Sequence, residues 1–236
     1  SNRVLLAAFD SAPNPLKALA RKTTNNDFRS KHSIKLGAFP TLPLVPEGGE
    51  VKHGSTTESY ESYKLGTYAQ IFSLSRQAII NDDLDAFGDW QTRMAQAASE
   101  TEAGLLVAML TANGGAGPTL NDSIALFHAD HGNLAGSGGA ISTDTLSAGR
   151  LAMRQQRGID GKTLAPVVPH TLLVSATKET EAEKILASIA PSSSANANPF
   201  AGKLALEVEP RLTGNPWFIF ADPSQAPVLE YAYLSG

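Results

Sequence analysis

Along residues 81–112 the apolar side chains Leu84, Phe87, Trp90, Met94, Ala97 and Ala98 recur at three-to-four spacing, and Leu105, Leu106, Ala108, Met109 and Leu110 continue the pattern. That period predicts a helix with one buried stripe. Asn81 is placed to cap it, Asp82, Asp83, Asp85 and Asp89 crowd the positive end of its dipole, and Asn113-Gly114-Gly115 stops it. Roughly thirty residues at about 1.5 Å each make a rod near ~45 Å. That is long for an enzyme helix and natural in an elongated molecule.

A different pattern precedes it. Residues 34–75 read as a hairpin, with Ile34–Val45 going out, Glu47-Gly48-Gly49-Glu50 as the turn and Val51–Ser75 coming back. The last part alternates Tyr68, Gln70, Phe72 and Leu74 against Ala69 and Ile71. Between Pro46 and Lys64 only Val51, Tyr60 and Tyr63 are appreciably apolar, so this stretch has no core of its own. Ordering a backbone costs about 1–2 kcal/mol per residue and an isolated ribbon is marginal in water, so the projecting part needs a neighbouring surface.

The second half alternates helices and strands. Ser142 or Thr143 caps a helix with Asp144 in its first turn, Arg150, Arg154 and Arg157 towards its end and Gly158 after it. Pro166 and Pro169 lead into a strand at His170–Ser175, and a helix over Lys178–Ile189 starts behind Thr177. After the loop Pro191–Pro199 come strands at Leu204–Glu209, Trp217–Ala221 and Val228–Leu234. The class is α+β.

Composition narrows the function. The 236 residues suffice for a sizeable core, and 18% charged residues is low, which leaves much surface small, polar or covered. Cysteine is absent, which excludes disulfides, cysteine metal sites and a thiol nucleophile. No stretch is long and apolar enough to span a bilayer. The net charge of −4 is too small for wholesale capture of nucleic acid, but it is uneven: residues 1–35 carry +5 and the rest −9. That basic segment lacks a sustained period and reads as an extended or solvated arm with one helical turn near Leu16–Arg21. The opening Ser1 in place of Met suggests a trimmed or processed start.

Little in the sequence carries catalysis. His128, Asp130 and His131 offer nitrogen and oxygen ligands at short spacing, but no glutamate base follows as in a zincin, so loop hydrogen bonding is the default. The aspartates of residues 82–89 are accounted for by helix-end electrostatics. No phosphate-binding glycine loop or nucleophile elbow occurs. Arg150 and Arg154 share a helical face, either complementing its C-terminal dipole or forming an intersubunit ion-pair surface.

Five blocks then resemble one family. They are Thr67–Phe87, Leu126–Leu134, Asn198-Pro199-Phe200 with Val208–Leu212, Phe220–Pro223, and Glu230–Leu234. From about residue 30 onward the chain resembles major capsid proteins of tailed bacteriophages and prophages, especially those encoded with a prohead protease. The resemblance implies a Hong Kong 97-like capsid fold. Residues 1–34 would be an N-terminal arm, 35–80 the extended hairpin loop and its base, 81–139 the peripheral domain with its long spine helix, and 140–236 mostly an α/β axial domain. It also implies a non-enzymatic structural protein without cofactors, which builds an icosahedral shell around double-stranded DNA in the virion after assembly in the bacterial cytoplasm. Its partners would be identical subunits in pentamers and hexamers, and portal, scaffold or decoration proteins. DNA would be touched weakly and no membrane would be involved. In this family a further strand usually follows the Glu230-Tyr-Ala-Tyr motif and returns to the peripheral domain. The expected intersubunit contacts are Glu47, Glu50, Lys52, Tyr60, Tyr63, Lys64, Arg150 and Arg154. The alternatives are a metal-dependent hydrolase using His128, Asp130 and His131, and a nucleic-acid module using the basic arm.

Overall fold

In the computed structural model, which describes residues 9, 14–36, 58–69, 90–187 and 198–235, the run Thr171–Ser175 is a strand buried at every position. Its Leu-Leu-Val centre lacks polar alternation, the pattern of a strand covered on both faces. In chain order the elements are α1 (Pro15–Ala18), β1 (Ala20–Asn25), β2 (Lys31–Leu36), β3 (Glu58–Tyr63), α2 (Trp90–Leu110), α3 (Thr143–Arg154), β4 (Thr171–Ser175), α4 (Glu179–Leu186), β5 (Ala205–Glu209), β6 (Trp217–Phe220) and β7 (Leu229–Leu234). Short helical turns lie at Ala112–Gly115, Ala129–His131 and Ala176–Lys178.

Strand β4 is the centre of a three-stranded sheet of order β5-β4-β6, parallel to β5 and antiparallel to β6. On one face Leu172 and Val174 pack with Ile141, Leu146 of α3, Ala182 of α4, Phe200 and Leu204. On the other face Leu173 and Phe220 pack with Leu16, Leu19, Leu106, Val107 and Leu110. The sheet is therefore sandwiched between α3 with α4 and α2 with α1.

Two further pairs complete the fold. β2 and β3 form the base of the hairpin, antiparallel from Lys31↔Tyr63 to Leu36↔Glu58. β1 pairs in parallel with β7, from Ala20↔Leu229 to Asn25↔Leu234. The Glu230–Leu234 motif is thus itself a strand beside the N-terminal segment, although it falls in the stretch 140–236 assigned mostly to the axial domain.

Several local expectations hold for clear physical reasons. Ser142 caps α3, with its hydroxyl accepting from the Thr145 amide at 3.2 Å and the Thr145 hydroxyl accepting from the Ser142 amide at 2.9 Å. Helix α2 gives way at Asn113 and Gly114, whose φ values of 52° and 70° are left-handed and end the helical path. From Trp90 to Leu110 it spans about 32 Å; its expected start and aspartate cluster lie outside the described residues.

Others are corrected. The basic segment is not simply an arm: Leu16 and Leu19 are core residues and Ala20–Asn25 is a strand. α3 stops at Arg154, and Arg157 instead bridges to Leu164. The expected helix over Lys178–Ile189 is α4, Glu179–Leu186; the Thr177 hydroxyl before it donates to the Gly214 carbonyl at 2.7 Å, pinning the sheet end to the loop before β6. Of the returning hairpin strand, Glu58–Tyr63 is paired, residues 64–69 are irregular, and the part through Ser75 lies outside the described residues.

Core burial and surface exposure make a contrasting pair of predictions. Leu173 is 0% exposed and Leu151 is 56% exposed. Leu173→Ala should cost about 2–5 kcal/mol and Leu151→Ala within about 0.5 kcal/mol, measured by urea denaturation of the subunit.

Candidate functional site

The hairpin base is fastened by a carboxylate. Glu230 lies on β7, opposite Arg21 in the β1 register. Arg21 donates to Glu230 Oε2 from Nε at 2.9 Å and also from its terminal nitrogen, and the Tyr63 hydroxyl donates to Oε1 at 2.6 Å. Lys31 adds its ammonium 3.8 Å from Oε1. Four segments, β1, β2, β3 and β7, thus meet on one largely buried carboxyl. Burial alone would raise the Glu230 pKa, but the Tyr63 hydrogen bond and the Arg21 and Lys31 charges outweigh it and hold it below its ordinary value. Burial, then the Glu230 charge, pushes the Tyr63 phenol well up.

A parallel link reaches α2. Lys17 pairs with Glu102, whose Oε2 also accepts from the Tyr233 hydroxyl at 3.0 Å. Glu61 on β3 accepts from the Asn121 amide at 2.9 Å, tying the hairpin base to the loop after α2.

These links decide the fate of the expected contact residues. Tyr63 is held within its own chain by its hydrogen bond to Glu230. Tyr60 is 48% exposed, edge-on to His32 with ring centroids 5.5 Å apart. Lys64 is exposed. Glu47, Glu50 and Lys52 lie outside the described residues. Within the basic segment Lys17 faces one distant acid, Glu102, and Arg21 and Lys31 share another, Glu230.

Arg150 and Arg154 do come together. Leu146, Arg150 and Arg154 fall on one stripe of α3 at four-residue spacing, and the stripe rises from the core: Leu146 is buried, Arg150 half-buried and Arg154 exposed. The Arg150 guanidinium stacks 4.6 Å from the Phe200 ring centroid. With Val168, Pro169, Lys203 and Leu204 they line an open groove of about 340 Å³ with an apolar floor and a basic rim.

The histidine cluster has a different role. His131 Nδ1 lies 3.0 Å from the Leu126 carbonyl and Nε2 2.8 Å from Asp122 Oδ2, so both nitrogens face acceptors and the ring favours its charged form. Chiefly through the Asp122 bond its pKa is raised, and that of Asp122 is lowered. His128 Nδ1 accepts from the Asp130 amide at 3.2 Å. These groups staple a loop, and among the described residues no group of three or more ligating side chains is placed to hold a metal ion.

Sequence reasoning missed Glu230 and Lys203 as site residues. The signal for Glu230 was slight, one carboxylate in the otherwise apolar and aromatic strand Leu229–Leu234. Lys203 had none, because the arginines that share its groove come from α3, some fifty residues earlier in the chain.

The phage capsid protein family model matches residues 59–236. No curated protein matches the sequence. Among solved structures, a chain of the capsid of bacteriophage JBD30, decorated with minor capsid protein trimers, superposes with a TM-score of 0.58 at 14% identity, over 84% of this chain and 90% of that one. At that identity the likeness carries the fold alone.

Two pH responses follow from this geometry. The Glu230 pKa is depressed, so its contribution is present above the ordinary carboxylate value of about 4.3 and is lost as pH falls through the depressed value. Glu230→Gln should cost about 1–3 kcal/mol at neutral pH and flatten the acid limb of the stability profile. The His131 contribution is full below about 6.5 and fades as pH rises through its raised value, whereas that of Asp122 is present above about 3.9. Amides of residues 126–133 should therefore exchange slowest between about pH 4 and 6.5, and His131→Phe should abolish the alkaline dependence, as read by hydrogen exchange.

Proposed function

The chain belongs to the phage capsid protein family, and from that premise we propose that many copies of it close into an icosahedral shell of pentamers and hexamers around double-stranded DNA. It is a structural capsid protein rather than an enzyme, with an α+β capsid fold. Family membership sets aside the hydrolase alternative, and the hydrogen bonds of His128 and His131 account for those side chains without chemistry.

One observation carries the assembly reading. The hairpin base is built into the subunit by Glu230, Tyr63 and Glu61, yet residues 46–57 contain a single appreciably apolar side chain, Val51. The 21 residues between Leu36 and Glu58, taken as two extended strands, would reach about 30 Å. In our reading this stretch lies across an adjacent subunit and exchanges its ordering entropy for contacts there, through Glu47, Glu50 and Lys52 among others. Tyr60 and Lys64, exposed at the base, extend that contact. The strands β1–β3 and β7 together with α2 form the peripheral part, and α3, α4 and the sheet β5-β4-β6 the axial part.

DNA contact would be weak, because Lys17, Arg21 and Lys31 are matched by Glu102 and Glu230. Assembly would take place in the host cytoplasm. By extension from the decorated JBD30 capsid, decoration proteins, and with them portal and scaffold proteins, would attach to the outer shell or its vertices.

Replacing residues 40–55 by a short Gly-Ser linker leaves the paired base intact. The variant should melt as the wild type does but form no shells under negative-stain electron microscopy, where the wild type forms closed particles. Normal shells from the variant would contradict the role given to the hairpin.

A further inference from the structure

We propose that adjacent copies meet through opposite ends of the sheet β5-β4-β6, with Arg154 and Lys203 of one copy docking on Glu179 and Glu183 of the next. This deepens the shell reading and rests on it.

The topology separates the two charges. β4 and β5 are parallel and begin at the same end, with Thr171 opposite Ala205. Val168 and Pro169 precede one strand, Lys203 and Leu204 the other, so the basic groove sits at that end, completed by the last turns of α3. At the far end Ser175 leads through Ala176–Lys178 into α4, whose first residue is Glu179. Ala182, Ile185 and Leu186 turn inward to the core, and Glu179 and Glu183 are exposed on the outer side.

Neither charge row is answered by a described side chain of the same subunit. Glu181 is spent on Lys178 and the Ile141 amide. The side chains of Glu179 and Glu183, by contrast, make no ion pair or hydrogen bond among the described residues. The same holds for Arg154 and Lys203. Arg150 is committed to the Phe200 ring. At the basic end Asp222 faces His170 at 3.9 Å.

Charge supports the match. Glu179 and Glu183 are one helical turn apart and repel each other, and Arg154 and Lys203 line one groove. Seating the acidic pair of one copy against the basic pair of another turns both repulsions into attractions. Because the basic groove and the outer side of α4 are different surfaces of one copy, the contact is head-to-tail and repeats until a ring closes.

The test is a charge swap in the full chain, with folding checked by thermal melting and assembly followed by sedimentation and light scattering. Reversing the basic end (Arg154→Glu with Lys203→Glu) or the acidic end (Glu179→Lys with Glu183→Lys) should raise the concentration needed for assembly by about tenfold or more. Combining all four in one chain should restore it. If the wild type assembles and the reversed variants do so equally, the contact is overturned alone. It is also overturned if the four-fold variant is not restored, or if only reversal of Glu47 and Glu50 rescues the basic-end variant, which would give the groove to the hairpin turn. A wild type that stays monomeric overturns the shell reading and this contact together.

Discussion

Burial of β4 on both faces is the constraint on which the remaining architecture depends. A strand with Leu172 and Val174 on one side and Leu173 on the other needs two covers, and no single helix supplies both. Helix α2 with α1 covers one face, α3 with α4 the other. At the end of β5 the fully buried Glu209 accepts from Arg211 at 2.7 Å, and Arg211 also donates to Glu100 on α2. Removing either partner would leave an uncompensated charge in the interior. The sheet and the long helix are thereby held as one unit.

The same covering helices determine what faces outward. Each uses its apolar stripe on the sheet and leaves its other side to solvent or to another copy. Around that unit carboxylates tie distant segments together, Glu230 for β1, β2, β3 and β7, and Glu102 for Lys17 and Tyr233. Hydrogen-bonded charges at partly buried sites contribute more than exposed ion pairs.

Three features were legible because their signals are local. The Ser142 cap, the Asn113-Gly114 stop and the apolar run of β4 each depend on neighbours a few residues away. The carboxylate ties were not legible, because their partners are distant in sequence: Arg21 finds Glu230 and Lys17 finds Glu102 only after folding. A segment of seven basic residues with only Asp10 and Asp27 among them therefore read as an extended arm, although it contains a strand. The parallel pairing of β1 with β7 was hidden for the same reason. At His131 the spacing suggested ligands, whereas the Leu126 carbonyl and Asp122 occupy both ring nitrogens. At Arg150 and Arg154 the sequence supplied the shared face; the groove floor of Phe200 and Leu204 required the fold.

The central claim is that this subunit has a complete core and an incomplete periphery, so that its stable state in quantity is a closed assembly. Sedimentation velocity of the purified chain over a range of concentrations tests it most directly. The account predicts a transition from single subunits to one large, uniform species with few intermediates, since a closed shell satisfies contacts that partial assemblies leave open. A single slow boundary at the subunit's own mass, unchanged to the highest concentration, would contradict it.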